Sequence, residues 1–332
     1  MTVRIGTRAS KLALTQTQQT ADQLAAVGGF PVELVHIRTD GDVLTGSLSQ
    51  MGGTGVFVAA LRDALLRNEC DVAIHSLKDL PTGAAVGLSL AATPRRVDVR
   101  DVLCARDGLK LADLPAGARV GTGSPRRAAQ LRTARPDLEI VDIRGNVDTR
   151  LGRVPGLPGN TVSDVVPGKS CDLDAVVLAA AGLERISRLD TVSEFLETDV
   201  MLPAAGQGAL AIECRTADAP PRPGFAEGSK EVLAQALAAL DDPDTRLAVT
   251  AERALLARLE AGCAAPVGAY AYRKGSLLHL EAAVCAVDGT ASVRDKRATD
   301  GLTEVGATLL GIELAEALLA AGAADIADLQ AS

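Results

Sequence analysis

Apolar and polar positions along this chain change period repeatedly, and the period names the elements. VRIGT (3–7) reads as a strand, and Ser10 stands where an N-cap belongs, ahead of the helical spacing of KLALTQTQQTADQLAAV. VELVHIRT predicts a second strand, VFVAALRDALLRN a helix and DVAIHSL a third strand. After the charged crossover TPRRVDVRD the pattern begins again. DVLCA and ARVGTG read as strands, PRRAAQLRTA as a helix, EIVDIRG as a strand and NVDTRLGRV as a helix, with DAVVLAA and GALAIECR as further apolar strands. Alternation of this kind implies α/β layers with mostly parallel sheets. Its two rounds imply two similar domains with a cleft between them. Residues 152–173 carry three prolines and four glycines and predict a long exposed loop. Beyond RTADAPPRPGFAEG the order is helix, helix, three short strands (APVGAYAYR, SLLHLEAAVCAV, TASVRDKRA) and a closing helix from about 301 to 322. That is a small α+β domain.

Composition adds bounds. A chain of 332 residues is long enough for two or three domains, and 47% apolar with 23% charged residues suits a globular protein. With no Trp, 2 Tyr and 4 Phe, the core must be built from Ala, Leu and Val. MTVRIGTRAS does not read as a signal peptide, and no apolar run approaches the roughly 18 residues of a membrane span. Six scattered cysteines (70, 104, 171, 214, 263, 285) form no CxxC pair, which argues against disulfides and zinc and suits a reducing cytoplasm. A net charge of −8 disfavours nonspecific binding of nucleic acid. Only 7 of the 34 basic residues are lysine, a skew that GC-rich coding DNA would largely explain. Where the arginines fall is more informative.

In VGTGSPRRAAQLR a strand runs into a helix capped by Ser124 with Pro125 at its first position. Free amides, Gly121 and Gly123 make an anion site there, with Arg126 and Arg127 expected on its rim. The plain alternative is a capped helix with solvated arginines. DIRGNVDTRL repeats the arrangement with Arg144 at the turn and Arg150 one helical turn inside; Arg8 beside Ser10 and Arg185 after VLAAAGLER are further instances. Strand ends in open α/β sheets converge on the binding crevice, so these arginines predict a ligand with many negative groups. AIHSLKDLP delivers Lys78 and Asp79 to another strand end, where a carboxylate can stabilise a developing cation and a lysine can hold an anion or form a Schiff base. Alternatively they are a local ion pair. His75 reads as a core or supporting residue. Cys263, in EAGCAAPVG, follows a strongly helical run and has only small neighbours: it is either a buried small hydrophobe or a thiol with room for a bulky group.

Together these stretches resemble the hydroxymethylbilane synthase (porphobilinogen deaminase) family: IGTRASKLAL, TDGD (39–42), GGTGVF (52–57), AIHSLKDLP, GTGSPRR, IRGNVDTRL, LAAAGLER, LPAAGQGALAIECR and LEAGCAAPVG, in this order over more than 250 residues. The resemblance implies that Cys263 carries a dipyrromethane cofactor through a thioether, assembled from the enzyme's own substrate, porphobilinogen. It implies that Asp79 contacts pyrrole N–H groups and stabilises the cation formed as ammonia leaves. Lys78, Ser124, Arg126 and Arg127 would hold the cofactor carboxylates, while Arg8, Ser10, Arg144, Arg150 and Arg185 would serve substrate binding and chain growth. Four condensations and a hydrolysis would release linear hydroxymethylbilane. The fold implied is two α/β lobes like those of periplasmic binding proteins (1–95 with 207–224, and 99–203), plus a C-terminal α+β domain (229–332) bearing the cysteine. A cytoplasmic monomer, with no nucleic-acid or membrane partner, is the expected state.

This chain departs from many relatives at Gln50 and Thr54, where lysines often flank the glycine pair, and in the length of the 152–173 segment. Two other classes compete. A non-catalytic anion-binding module explains the arginines but gives Cys263 no task. A pyridoxal phosphate enzyme with Lys78 as its Schiff base would show a visible absorbance removed by borohydride.

Overall fold

The computed structural model of the chain describes residues 2–37, 55–158, 171–220, 231–262 and 264–330. Cys263, Gln50, Thr54, TDGD and most of the 152–173 segment lie outside the described residues.

The first half contains β1 (Val3–Thr7), α1 (Lys11–Gly28), β2 (Val32–His36), α2 (Gly55–Leu66), β3 (Val72–Ser76) and β4 (Leu88–Ala92). The second contains β5 (Asp101–Ala105), β6 (Arg119–Gly121), α3 (Pro125–Ala134), β7 (Glu139–Val141), α4 (Val147–Leu151), β8 (Ala175–Ala179), α5 (Ala180–Arg185) and β9 (Glu194–Leu196). The chain then returns through β10 (Leu210–Arg215). Two five-stranded sheets result, ordered β2-β1-β3-β10-β4 and β7-β6-β8-β5-β9.

Both sheets have one plan. Three strands pair in parallel, and a reversed strand separates them from the last: β10 is antiparallel to β3 and β4, and β5 to β8 and β9. The sheets are therefore mixed rather than mostly parallel. The reason is topological, because β5 and β10 enter their sheets from the two crossovers between lobes and so arrive in the opposite sense. Two α/β lobes joined by a double crossover are the architecture expected.

The third unit comprises α7 (Pro243–Arg258), β11 (Val267–Lys274), β12 (Leu277–Cys285), β13 (Ser292–Thr299), α8 (Glu304–Ala320) and α9 (Ala323–Ile326), preceded by α6 (Glu231–Leu240). Its antiparallel sheet, β11-β12-β13, turns Ala269, Ala271, Leu278, Leu280 and Ala282 onto α7 and α8. Alanine on the strands lets the helices approach closely without aromatic residues. α6 belongs elsewhere by packing, since Leu233, Ala236 and Leu237 are buried with Val3, Ile5 and Leu24 of the first lobe.

One buried carboxylate ties the units together. Glu252 on α7 is fully buried and accepts from Arg96 Nη1 at 2.6 Å and Nη2 at 3.2 Å, Gly206 N–H at 2.6 Å and Ala271 N–H at 2.8 Å. Arg96 and Gly206 lie on the two crossovers, so the lobes and the third unit meet at this point. Charge-assisted bonds of this kind are short and directional.

Candidate active site

β3 is buried from Val72 to His75 and runs into a 3₁₀ turn, Leu77–Asp79. Leu77 is buried and donates its N–H to Ala209 O at 3.0 Å, so the turn cannot drift from the second crossover. From the third unit, Arg253 donates to the carbonyls of Leu80 (3.0 Å), Pro81 (2.7 Å) and Thr82 (3.3 Å). The turn thus presents Lys78 and Asp79 from a fixed base. They form no ion pair. Lys78 Nζ instead lies 3.4 Å from Gln207 Oε1, and the half-buried Asp79 carboxylate has no hydrogen bond or ion pair among the described residues. Solvent reaches Lys78 through the cleft, but burial by the surrounding protein, reinforced by the Arg127 cation, lowers its ammonium to about 8. His75 is buried, with Nε2 3.2 Å from Glu213 Oε2 on β10, the supporting position expected.

At the start of α3, Ser124 caps as expected, its Oγ accepting from Arg127 N–H at 3.5 Å, with Pro125 at the first helical position. Gly123 is required by close approach: a Cβ there would lie 2.4 Å from Ile143 O. Arg126 and Arg127 are not on a solvent rim. They are 4% and 5% exposed, drawn inward by Asp101 at the start of β5: Arg126 Nη2 lies 2.8 Å from Oδ2, and Arg127 Nη2 and Nε lie 2.7 and 3.0 Å from Oδ1. Burial alone would raise the Asp101 carboxyl, but the two guanidiniums outweigh it and hold the group far below the carboxylate range. Arg126 Nε is buried with no hydrogen-bond partner among the described residues. That is a donor awaiting an acceptor.

The lobes enclose a recess of about 120 Å³. Ser76, Lys78, Gly206 and Gly208 line one side and Arg127, Arg150, Leu178 and Arg185 the other. Among the described residues, four cations and no carboxylate residue face it. Arg150 donates from Nε to Gly145 O at 2.9 Å; burial, then Arg127 and Arg144, lower its guanidinium to about 10, so it stays charged at neutral pH. Arg185 crosses to the other side, donating to Gly208 O at 3.0 Å, and burial lowers it too. Arg144 sits nearer solvent with Asp142 at 3.4 Å. Ser10 caps α1, accepting from Ala13 N–H at 3.3 Å, and Arg8 lies half-buried just before it. Neither lines the recess, nor do Asp79, Ser124, Arg126 and Arg144.

Two residues of this site were not picked out in the sequence. Gln207 is fully buried and donates to Val99 O and to Asp101 Oδ1, both at 2.8 Å, while meeting Lys78 with its oxygen. Through Asp101 it joins Arg126 and Arg127 at the start of α3 in one lobe to the lysine of the other. A glutamine between two glycines in AAGQGAL was the available signal, as was an aspartate opening the otherwise apolar strand DVLCA for Asp101.

Comparison with known proteins converges on one group. Residues 3–221 match the family model described as porphobilinogen deaminase, dipyromethane cofactor binding domain, and residues 246–320 match porphobilinogen deaminase, C-terminal domain. Porphobilinogen deaminase of Cutibacterium acnes is 55% identical, covering 99% of this chain and 98% of its own length. That of Thermobifida fusca is 53% identical (97% and 95%) and that of Mycobacterium bovis 47% (98% and 98%). Among solved structures, the VFT2 domain of Bordetella pertussis BvgS aligns at TM-score 0.38 and 15% identity (72% and 88% covered), and a YaeC-family lipoprotein of Enterococcus faecalis at 0.35 and 12% (71% and 90%), likenesses too low to add to the sheet order itself. With its two models matched in sequence order and relatives of this identity aligned almost end to end, the chain belongs to the porphobilinogen deaminase family.

Proposed function

We propose that this chain is a hydroxymethylbilane synthase, which condenses four porphobilinogen molecules head to tail on a covalently held dipyrromethane, losing ammonia each time, and hydrolyses off linear hydroxymethylbilane for tetrapyrrole biosynthesis. The observation that carries the site assignment is the recess between the lobes, on which Lys78, Arg127, Arg150 and Arg185 converge with no carboxylate among the described residues that line it. Every porphobilinogen brings two carboxylates, and fixed guanidinium forks match carboxylates two bonds at a time.

The residues fit the dipyrromethane. Cys263 would hold it covalently, and Lys78, Ser124, Arg126 and Arg127 would take its carboxylates, with the orphaned Arg126 Nε among the donors. When bound, it supplies the free pyrrole carbon to which the next unit is joined. Asp79 is the residue for the chemistry itself. Its carboxylate is held on a braced turn without a competing ion pair, so its field is available to pyrrole N–H groups and to the positive charge that develops on the substrate as ammonia departs. Arg8, Ser10, Arg144, Arg150 and Arg185 would bind substrate and the growing chain. The units assigned to these tasks are the two lobes and the cysteine-bearing third domain, in a cytoplasmic monomer. No helix among the described residues is long and apolar enough to cross a membrane.

Purified protein supplied with porphobilinogen should release four ammonia per hydroxymethylbilane, and its intact mass should exceed the chain mass by two pyrrole units. A mass equal to the bare chain in active enzyme, or to the chain plus a phosphopyridoxal group, overturns the reading.

A further inference from the structure

α7 ends at Arg258, and the chain then turns sharply. Glu260 has φ +53°, a left-handed value that costs a glutamate energy unless its surroundings fix it. Local backbone bonds hold the first part of the turn, Glu260 N–H to Ala257 O at 3.2 Å and Ala261 N–H to Leu256 O at 3.0 Å. The next part is held from far away in sequence. Gly262 N–H, the last before Cys263, donates to Leu329 O at 2.8 Å, and Gln330 Nε2 donates to Glu260 Oε2 at 2.8 Å. Leu329 and Ala327 are buried in the core that α7, β11, β12 and α8 share. Leu329 therefore anchors the strap by its side chain and grips the turn by its carbonyl. Between strap, turn and α8 lies a recess of about 330 Å³ lined by Leu259, Glu260, Leu319, Asp328 and Leu329. Leu259 packs the start of the turn into the core, and the hydrogen bonds to the strap hold its end, at Glu260 and Gly262.

We propose that the segment Ala327–Gln330 is a clasp that positions the Cys263 turn for attachment of the primer, with Leu329 and Gln330 as positioning residues. The proposal rests on the reading that Cys263 is the attachment point. Attachment forms a C–S bond to the exocyclic carbon of the incoming pyrrole as its C–N bond breaks; the thiol gives up its proton and ammonia leaves. A step that needs sulfur and carbon aligned is sensitive to small misplacement of the backbone that carries the sulfur.

The test uses full-length protein produced without porphobilinogen, in a Cys171→Ser background that removes the exposed thiol. Two rates are measured: gain of two pyrrole units by intact mass after porphobilinogen is added, and alkylation of Cys263 by iodoacetamide, mapped on its peptide. Leu329→Asp, which withdraws the anchor, should load at least fivefold more slowly and change the alkylation rate at least threefold, while Leu329→Met restores both. Should Leu329→Asp not fold, Gln330→Glu decides: it sets two carboxylates against each other at the turn without touching the core, and should slow loading about threefold, less so in high salt. Loading at the parent rate in the folded variants overturns the clasp. Cys263→Ala separates the two ideas. If it still gains two pyrroles the attachment reading fails; if it stays at chain mass while the strap variants load normally, the clasp alone fails.

Discussion

Asp79 and the basic residues differ in kind although Asp79 follows Lys78 on one turn. The carboxylate would stabilise a cation, whereas the basic residues would hold anions, and substitutions should separate these tasks. Asp79→Asn should lower the rate of porphobilinogen consumption at least a hundredfold, about what losing one preorganised electrostatic contact costs, with Asp79→Glu less impaired because it keeps the charge. An Asn variant turning over like the parent would reduce Asp79 to a structural residue of its turn. Among the cations, Arg126→Leu and Arg127→Leu should yield protein that fails to load the primer, because these two, flanking Asp101 at the start of α3, are the donors proposed for its carboxylates. Arg144→Leu, Arg150→Leu and Arg185→Leu should load and then stall, leaving enzyme that carries one, two or three additional pyrroles by mass. Lost charge-assisted bonds cost about 1.5–3 kcal/mol, so each defect should be roughly tenfold to a hundredfold, and lysine should recover only part of it. The same loading defect in all five would point to a generic basic surface.

At the level of elements, β5 and α3 show what a sequence can and cannot disclose. The strand DVLCA, the cap at Ser124 and the proline after it were legible, because propensity and capping act over a few residues. The direction of β5 was not, since it depends on where the crossover delivers the chain. Nor was the burial of Arg126 and Arg127, because their partner is Asp101, some 25 residues away, and arginine at a helix start normally faces water. EIVDIRG illustrates the same limit: only Glu139–Val141 pairs as strand, and Ile143 to Gly145 leave the sheet to pass against Gly123 and present Arg144. This Asp101-centred cluster should be fragile. Asp101→Ala leaves two buried guanidiniums uncompensated, and breaking a buried ion pair on one side costs about 3–5 kcal/mol. Denaturant unfolding should show that loss with an unchanged slope; a change under 1 kcal/mol would mean that water already enters the cluster.

On the scale of the whole molecule, the cleft should couple anion binding to protons. Lys78 belongs to one lobe and Arg127, Arg150 and Arg185 to the other, and closing these cations round an empty recess places like charges together. Burial and Arg127 hold Lys78 near 8, so in the free protein it is largely neutral at pH 8.5. A polycarboxylate in the recess favours the ammonium and raises that value. The sign follows. Below about pH 7 Lys78 is protonated in both states and binding moves no proton; between about 8 and the raised value, binding takes one up, so affinity falls as pH rises through this window. Arg150, lowered only to about 10, keeps its charge throughout and does not blur the effect. The measurement is titration calorimetry of benzene-1,2,4,5-tetracarboxylate into Cys263→Ala protein, which should leave the cleft without primer, in phosphate and in Tris buffers. At pH 8.5 the two heats should differ by an uptake of about half a proton or more, at pH 6.8 they should report only the small remainder, and Lys78→Met should abolish the difference. Equal heats in both buffers at pH 8.5 would show that Lys78 is already charged before the ligand arrives, and the recess would then bind its anions with a pH-independent set of cations.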